Sequence, residues 1–251
     1  MFLERKNNLV YAAFSNLASF PGIFHAIFTR RDLDSGANSS GMESGKSGIH
    51  AAPPAVEECT GAAGLIFLSQ FHGTEVCVVN TRQEAESAAE IPPAADAVIS
   101  GVPGMGLVIQ AADCQAVMLY DPVRGVAANV HSGWRGSVSN IIGECIKAMR
   151  QNFNTDPADI AAGIGPSLGP CCAEFVNYKK EIPKSFWIYK DEHQRFDFWQ
   201  ASVDQLREAG VKKENIELSN ICTMCNTHLF FSYRGGSGSK RFAAVIGVKG
   251  G

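Results

Sequence analysis

The sequence predicts an α+β fold of mixed α/β content, in which a single domain contains mixed β-sheets flanked by helices. Three observations support this prediction. Short runs rich in Val and Ile recur along the chain, and Gly, Pro or Asp separates most of them. Few segments show helical spacing, so strands do not alternate regularly with helices. The length of 251 residues fits one large domain, which we take as 1–251.

The strand predictions follow the apolar runs in chain order. Two early strands are predicted at residues 10–14 and 25–29, and two closing strands at 229–233 and 242–248. Between them the strand pattern recurs in six runs, at residues 65–70, 76–80, 97–100, 106–114, 116–121 and 126–132. This density of strands over the middle of the chain is typical of sheets rather than of a helical bundle.

Two helices and one long loop complete the prediction. Apolar residues at steps of three and four predict a helix over residues 137–153, and a second is predicted at about 198–209. Residues 32–48 are rich in Gly, Ser and Asn, which predicts a mobile loop at about 32–60.

The composition restricts the possible partners and the compartment. The chain carries 22 Lys and Arg against 25 Asp and Glu, a net charge of -3, so we expect no general attraction to nucleic acid or to anionic membranes. No apolar run approaches the roughly 18 residues of a membrane span, and none near the N-terminus could act as a secretory core. Eight irregularly placed cysteines indicate reduced thiols. We therefore predict a cytoplasmic protein without nucleic-acid or membrane partners.

Three predicted strand ends carry residues that could bind a metal. His72, Cys114 and His131 each lie at the end of an apolar run, beside small residues that leave space around them. Two imidazoles and one thiolate suit Zn²⁺, and three protein ligands leave the fourth tetrahedral position open for water or substrate. The residues therefore predict a metal centre of catalytic form.

The residues alone leave other interpretations open. An isolated His beside Gly is more often a turn residue, and a Cys in a strand is usually a small buried hydrophobe. The spacings of 42 residues (114 − 72) and 17 residues (131 − 114) match no short zinc-finger signature. Cys114 could instead be a metal-free nucleophile activated by a His, and a protein that only stores metal is a further alternative.

Longer motifs resemble one known family. They are QFHG-x-x-V from Gln70, ADAVISGVPGMGLVIQAADCQAVMLYDP from Ala95, NVHSGWRG from Asn129, GIGPSLGPCCAEF from Gly163 and FFSYRGGSGSKRFAAVIG from Phe230. Together they resemble the YfiH family, also called laccase-domain or polyphenol oxidase family proteins. The resemblance spans nearly the whole chain from about Phe24 and implies a CNF1/YfiH-like fold.

The resemblance also implies a function and a set of ligands. It places the metal ligands at His72, Cys114 and His131, with Zn²⁺ as the cofactor and Cu²⁺ as the alternative. It implies a purine nucleoside phosphorylase acting on adenosine, inosine and methylthioadenosine, with adenosine deaminase activity and inorganic phosphate as co-substrate. An alternative implied by relatives is a hydrolase that edits UDP-muramoyl amino-acid precursors of peptidoglycan.

Phosphorolysis needs cations for phosphate, and arginine can bind two phosphate oxygens at once. Arg135, four residues after His131, is the first candidate, followed by Arg30, Arg234 and Arg241. Relatives carry a Gly-Gly pair after the Thr-Arg that corresponds to Thr29 and Arg30, and this chain lacks it. The sequence therefore predicts altered substrate contacts near Arg30.

Asp113 is a further candidate because it directly precedes Cys114. Its carboxylate could orient a ligand or move a proton. Neighbouring residues on a strand point to opposite faces, so a purely structural role is the alternative.

The remaining histidines and cysteines refine these predictions. All six histidines are isolated, so one chain cannot supply the closely spaced His pairs of a complete multicopper cluster. A copper-dependent polyphenol oxidase with one metal remains an alternative. The C-x-x-C at Cys222 and Cys225 has no second C-x-x-C, and we predict a structural role for Cys222. Cys171 and Cys172 are predicted to pack around a tight turn.

Overall fold

A computed structural model describes residues 1–6, 9–30, 42–43 and 54–250. The strands of this part of the chain are, in order, β1 (Phe2–Lys6), β2 (Leu9–Ala13), β3 (Ile23–Phe28), β4 (Met42–Glu43), β5 (Gly64–Ile66), β6 (Val76–Val79), β7 (Ala97–Ser100), β8 (Met105–Ala111), β9 (Gln115–Asp121), β10 (Val126–Ser132), β11 (Ala161–Ile164), β12 (Ile216–Leu218) and β13 (Lys240–Val248). The helices are α1 (Ser15–Ala18), α2 (Pro54–Thr60), α3 (Arg82–Glu90), α4 (Trp134–Val138), α5 (Ile141–Phe153), α6 (Tyr178–Glu181) and α7 (Phe198–Glu208).

The strands form two mixed sheets. The first has the order β1-β2-β3-β13-β8-β5, and β4 also pairs with β13. The second has the order β12-β11-β9-β10-β7-β6. The pairs β5/β8, β6/β7 and β11/β12 are parallel and the others are antiparallel. The predicted α+β fold with mixed sheets is confirmed.

The two sheets pack face to face, and helices cover the outer faces. Successive side chains of a strand point to opposite faces. In β9, Met118 and Tyr120 therefore face the first sheet, whereas Val117 and Leu119 pack with apolar residues of α5. A strand buried on both faces needs apolar residues throughout, which explains why the β9 and β10 runs are so easily recognised in the sequence. Helix α2 contributes Val56 and Cys59 to a separate apolar cluster with residues of the first sheet.

Asn129 connects the two sheets at the centre of the molecule. It lies in β10, is fully buried, and its Nδ2 donates to the carbonyl oxygens of Leu107 (2.9 Å) and Ala244 (2.8 Å). Both carbonyls belong to strands of the first sheet, β8 and β13. These bonds fix the position of β10, whose end carries His131.

Several predicted elements require correction. The helix over 137–153 is two helices, because Asn140 adopts a left-handed conformation (φ 58°) and its side chain accepts from Gly143 N–H to begin α5. The predicted strand at 229–233 consists of turn and irregular residues. The strand at 65–70 is shorter, since β5 ends at Ile66.

The predicted mobile loop at about 32–60 falls largely on residues 31–41 and 44–53, which lie outside the described part of the chain. Of its described segments, Met42–Glu43 pair with β13 and Pro54–Thr60 form a helix. Its mobility stays a prediction. None of the described helices has the length and apolar content needed to cross a membrane.

We predict that His25 makes the fold sensitive to acid. Burial lowers the pKa of His25 to about 4, and the Phe14 N–H donates to its Nε2, which requires the neutral ring. Between pH 6.5 and pH 4 the unfolded chain therefore binds a proton that the folded chain does not. The free energy of unfolding should fall over this range by roughly 3 kcal/mol at most.

The His25→Gln variant tests this prediction, because its side-chain oxygen can accept from Phe14 N–H but does not titrate. Urea unfolding at several pH values should show the wild type losing stability relative to the variant as the pH falls from 6.5 to 4. The control is His193→Gln, since His193 is exposed. A constant difference between wild type and His25→Gln across this range would contradict the prediction.

Candidate metal centre

The structure brings His72, Cys114 and His131 together at one end of the paired sheets. His72 lies in the segment that passes from β5 in the first sheet to β6 in the second. Cys114 lies in the short connection between β8 and β9, which also crosses between the sheets, and His131 lies in β10. Cys114 Sγ is 3.8 Å from His72 Nε2, and the three donor atoms all lie within 4.8 Å of one another.

Asp96 holds two of the three residues in place, and sequence reasoning did not identify it. This fully buried carboxylate accepts the Nδ1–H of His131 at 2.8 Å. It also accepts the backbone N–H groups of Phe71, His72 and Gly73, at 3.3, 3.0 and 2.6 Å. Because Nδ1 of His131 bonds to Asp96, its Nε2 is the ring nitrogen left to bind a metal.

The backbone around the ligands is unusual at three points. His72 and Asp113 both have left-handed backbone conformations, with φ values of 67° and 85°. A Cβ atom at Gly133 would lie 2.9 Å from both Cys114 Sγ and His72 Cδ2. Glycine at this position therefore leaves room for Cys114 Sγ and the ring of His72, which explains why residue 133 has no side chain.

Electrostatics at the site favour a thiolate. Burial raises the pKa of the Cys114 thiol, but the neighbouring imidazoles of His131 and His72 outweigh this effect and bring the pKa to about 6. Burial lowers the pKa of His131, whereas the Cys114 thiolate and the Asp96 carboxylate raise it to about 9. Cys114 thus adopts near neutral pH the ionised form that binds metals.

The donor set fits a divalent metal. One thiolate and two imidazole nitrogens converge within the distances that a single ion could bridge, and Asp96 supplies the carboxylate partner that commonly orients a metal-binding His. With three protein donors, one position of a tetrahedral ion would face the adjoining cleft. The arrangement can therefore present a metal to a substrate.

A cleft of about 1070 Å³ opens beside the three donors. This volume is enough for a nucleoside-sized molecule. Its wall includes aromatic and cationic side chains, among them Phe71, Trp134, Arg135, Phe175, Tyr233 and Arg241. Phe71 and Tyr233 remain 49% and 65% exposed, so their rings are available to a ligand.

The four predicted arginines occupy different environments. Arg135 lines the cleft, is exposed, and lies over the ring of Trp134 at 4.4 Å. Arg241 also lines the cleft, but its Nη1 donates to the carbonyls of Gly238 and Lys240.

Arg234 and Arg30, like Arg241, donate to backbone carbonyls. Arg234 lines the cleft, and its Nη1 donates to Glu174 O at 2.5 Å while its guanidinium covers the ring of Phe175. Arg30 is not among the residues that line the cleft; its Nη1 donates to Thr227 O at 2.5 Å. The structure therefore brings three of the four arginines to the cleft, and Arg30 stays outside it.

Asp113 lines the cleft, but both of its carboxylate oxygens are engaged. Oδ1 accepts from the Thr223 hydroxyl at 2.7 Å, and Oδ2 accepts from the backbone N–H of Arg234 at 2.8 Å. These contacts join three loops around Cys114. They favour a role in positioning the loop over a role in proton transfer.

Comparisons with known proteins agree with this architecture. The family described as "Multi-copper polyphenol oxidoreductase laccase" matches residues 49–249. A protein of Xylella fastidiosa named purine nucleoside phosphorylase is 30% identical, with 93% of this chain and 91% of that protein covered. A Bacteroides thetaiotaomicron protein of the same name is 35% identical, but the match spans 55% of each chain.

Solved structures show the same fold. YlmD from Geobacillus stearothermophilus superposes with a TM-score of 0.80 at 23% identity, covering 99% of both chains. The Bacillus licheniformis protein YfiH superposes with a TM-score of 0.79 at 23% identity, covering 96% of both. From the family match, the full-length relatives and this fold, the chain belongs to the YfiH family of laccase-domain proteins.

Proposed function

We propose that this protein is a zinc-dependent purine nucleoside phosphorylase that acts on adenosine, inosine and methylthioadenosine and also deaminates adenosine. The observation that carries the proposal is the cleft, where three metal donors, exposed aromatic rings and an exposed arginine adjoin one space. Relatives named purine nucleoside phosphorylase support the same assignment.

Phosphorolysis replaces one bond to the sugar by another. An oxygen of phosphate bonds to C1′ as the bond from C1′ to the purine nitrogen breaks, and the bonding electrons leave with the base. Arg135 is the side chain we assign to phosphate, because its guanidinium lines the cleft and can bind two oxygens. Phe71 and Tyr233 are assigned to stacking on the purine, which typically contributes about 1–3 kcal/mol per base.

His72, Cys114 and His131 are the residues that would hold the zinc. When bound there, it would supply Lewis-acid chemistry at its open position. The chain's own part is to fix the donors: Asp96 orients His131 and the backbone of His72, and Gly133 keeps the space between them clear. Deamination of adenosine would take place in the same cleft.

Two alternative functions differ from the phosphorylase in the co-substrate that they require. A copper-dependent polyphenol oxidase consumes dioxygen, and the family description mentions such an activity. Of the histidines in the described residues, His72 and His131 line the cleft, which provides for one metal rather than a multicopper cluster. A hydrolase acting on UDP-muramoyl precursors would need water and no phosphate.

The direct test incubates zinc-loaded protein with inosine, with and without phosphate, and separates the products by chromatography. We expect hypoxanthine and ribose 1-phosphate only when phosphate is present. Adenosine should additionally give inosine without phosphate. Base release that does not depend on phosphate, or no base release at all, would overturn the phosphorylase assignment.

The same assay tests the role of Arg135. The Arg135→Ala variant should raise the KM for phosphate on the order of 10-fold or more, because a hydrogen bond to a charged group contributes about 1.5–3 kcal/mol. The KM for inosine should change little. Arg150→Ala is the matched control, since Arg150 is exposed on α5 and does not line the cleft. An unchanged KM for phosphate in Arg135→Ala would remove this residue from the proposal.

A further inference from the structure

Four cysteines form a second cluster, separate from the His72–Cys114–His131 centre. Cys171 and Cys172 lie in the loop after β11, and Cys222 and Cys225 lie in the loop between β12 and β13. Although 54 residues separate Cys171 from Cys225, the two sulfurs are 3.6 Å apart. The sulfurs of Cys172 and Cys225 are 3.5 Å apart, and all four sulfurs lie within 4.8 Å of one another.

These separations resemble those of a tetrahedral metal site. A Zn²⁺ ion with four bonds to sulfur of about 2.3 Å holds its sulfurs about 3.8 Å apart. A disulfide would require a separation of about 2.05 Å and would join the cysteines in pairs. Here Cys225 lies at nearly equal distance from Cys171 and Cys172. Cys225 is therefore not paired with one partner alone, and all four sulfurs lie close enough together for one ion to reach them.

Backbone contacts hold Cys222 in place. The N–H groups of Gly169 and Cys225 donate to its sulfur. The loop can approach this closely because residue 169 is a glycine: a Cβ there would lie 2.8 Å from the Trp199 ring and 3.1 Å from Cys222 Cβ.

We propose that Cys171, Cys172, Cys222 and Cys225 bind one Zn²⁺ as a structural site. Four thiolates fill all positions of a tetrahedral ion, so no position is left for a substrate. Binding forms four zinc–sulfur bonds as the thiol protons leave to solvent, and no electron is transferred. This closed site would contrast with the three-donor centre, where the fourth position of a bound ion would face the cleft.

The structural site would link the loop after β11 to the loop between β12 and β13, and both loops contribute residues to the wall of the cleft. Cys222 pairs with Ser167 in an isolated β-bridge, and Thr223 N–H donates to Ser167 O. The Thr223 hydroxyl donates to Asp113, and the N–H of Leu168 donates to the carbonyl of Asp113. A zinc ion across these loops would therefore hold the residue next to Cys114 without contacting the substrate.

Zinc content per chain tests the proposal. Protein purified without chelator should carry two zinc ions, Cys114→Ser should carry one, and the double variant Cys171→Ser, Cys225→Ser should also carry one. The control Cys77→Ser should retain two, since Cys77 lies in β6 outside both clusters. A wild type that carries one zinc, lost in Cys114→Ser, would overturn the proposal and leave the proposed function standing.

A second measurement does not depend on the folding of a double variant. Cys171 and Cys225 are exposed thiols in the polypeptide alone, so only a bound metal or a disulfide would protect them from iodoacetamide. Mass spectrometry of the zinc-loaded wild type should show both unmodified, and a chelator without reductant should make both reactive. Modification in the presence of zinc, or protection that needs a reductant to remove, would overturn the proposal.

Discussion

The Asp96→Asn variant is expected to bind zinc at the His72–Cys114–His131 centre about 10- to 100-fold more weakly than the wild type, the usual cost of losing a partner of a metal ligand. The carboxylate accepts hydrogen bonds from four donors, and three of them are the backbone N–H groups of residues 71–73. An amide turns an N–H group toward some of these donors and leaves them unsatisfied. We expect the free energy of unfolding to fall by about 1–3 kcal/mol.

Competition with a chromophoric chelator measures the affinity, and urea unfolding of the metal-free proteins measures the stability. Asp121→Asn is a matched control, because Asp121 is also fully buried and accepts backbone N–H groups from Val123 and Arg124. It should bind zinc normally. Equal zinc affinity in Asp96→Asn and the wild type would show that the carboxylate does not organise the ligands.

The Cys114→Ser variant is expected to lose zinc at this centre and to release no hypoxanthine from inosine and phosphate. A serine hydroxyl is a far weaker zinc ligand than a thiolate, and it replaces one of only three protein donors. The zinc affinity should fall by more than about 100-fold, because about 100-fold is the upper limit for losing only a hydrogen-bond partner of a ligand. Because serine is nearly isosteric with cysteine, we expect an unchanged circular dichroism spectrum.

The Cys114→Ser variant alone would not distinguish a zinc ligand from a thiol nucleophile. The wild type treated with chelator is therefore the necessary control. It keeps Cys114 and should be inactive until zinc is restored. Cys77→Ser should behave like the wild type in both assays. Activity that persists in the metal-free wild type would instead favour a thiol nucleophile. The Cys114 thiolate beside His131 is also a suitable arrangement for that mechanism.

Strands β7, β9 and β10 could be predicted from sequence because they are buried on both faces. The apolar runs of β7 and β10 coincide with the predictions at 97–100 and 126–132. Elements that depend on local polar contacts were not predictable in the same way. The break between α4 and α5 depends on the left-handed conformation of Asn140, which helical apolar spacing does not reveal.

The candidate site was partly accessible from sequence for a similar reason. His72, Cys114 and His131 stand out as polar residues at the ends of apolar runs, and the structure brings their donor atoms together. Asp96 was harder to identify, because an Asp directly before a strand is typical of a turn. Its position before the buried strand β7 was the one indication of a role in the site. Its hydrogen-bond partners Gly73 and His131 lie 23 and 35 residues away in sequence.

The cysteine cluster shows the limit of reading short motifs. The C-x-x-C at residues 222–225 lies beside the adjacent pair Cys171 and Cys172. This pair does not have C-x-x-C spacing, so the sequence motif does not predict the contact. The parallel pairing of β11 with β12 and the bridge between Ser167 and Cys222 bring the two following loops side by side. The prediction that Cys171 and Cys172 merely pack around a turn therefore omitted their contacts with Cys225.

Anomalous diffraction from crystals of protein purified without chelator would show directly whether a single metal occupies the three-donor centre. Data collected on both sides of the zinc and copper absorption edges identify the metal. We expect one zinc peak within bonding distance of His72 Nε2, Cys114 Sγ and His131 Nε2. The absence of any peak there, or a peak that follows the copper edge, would show that this centre is not a zinc site.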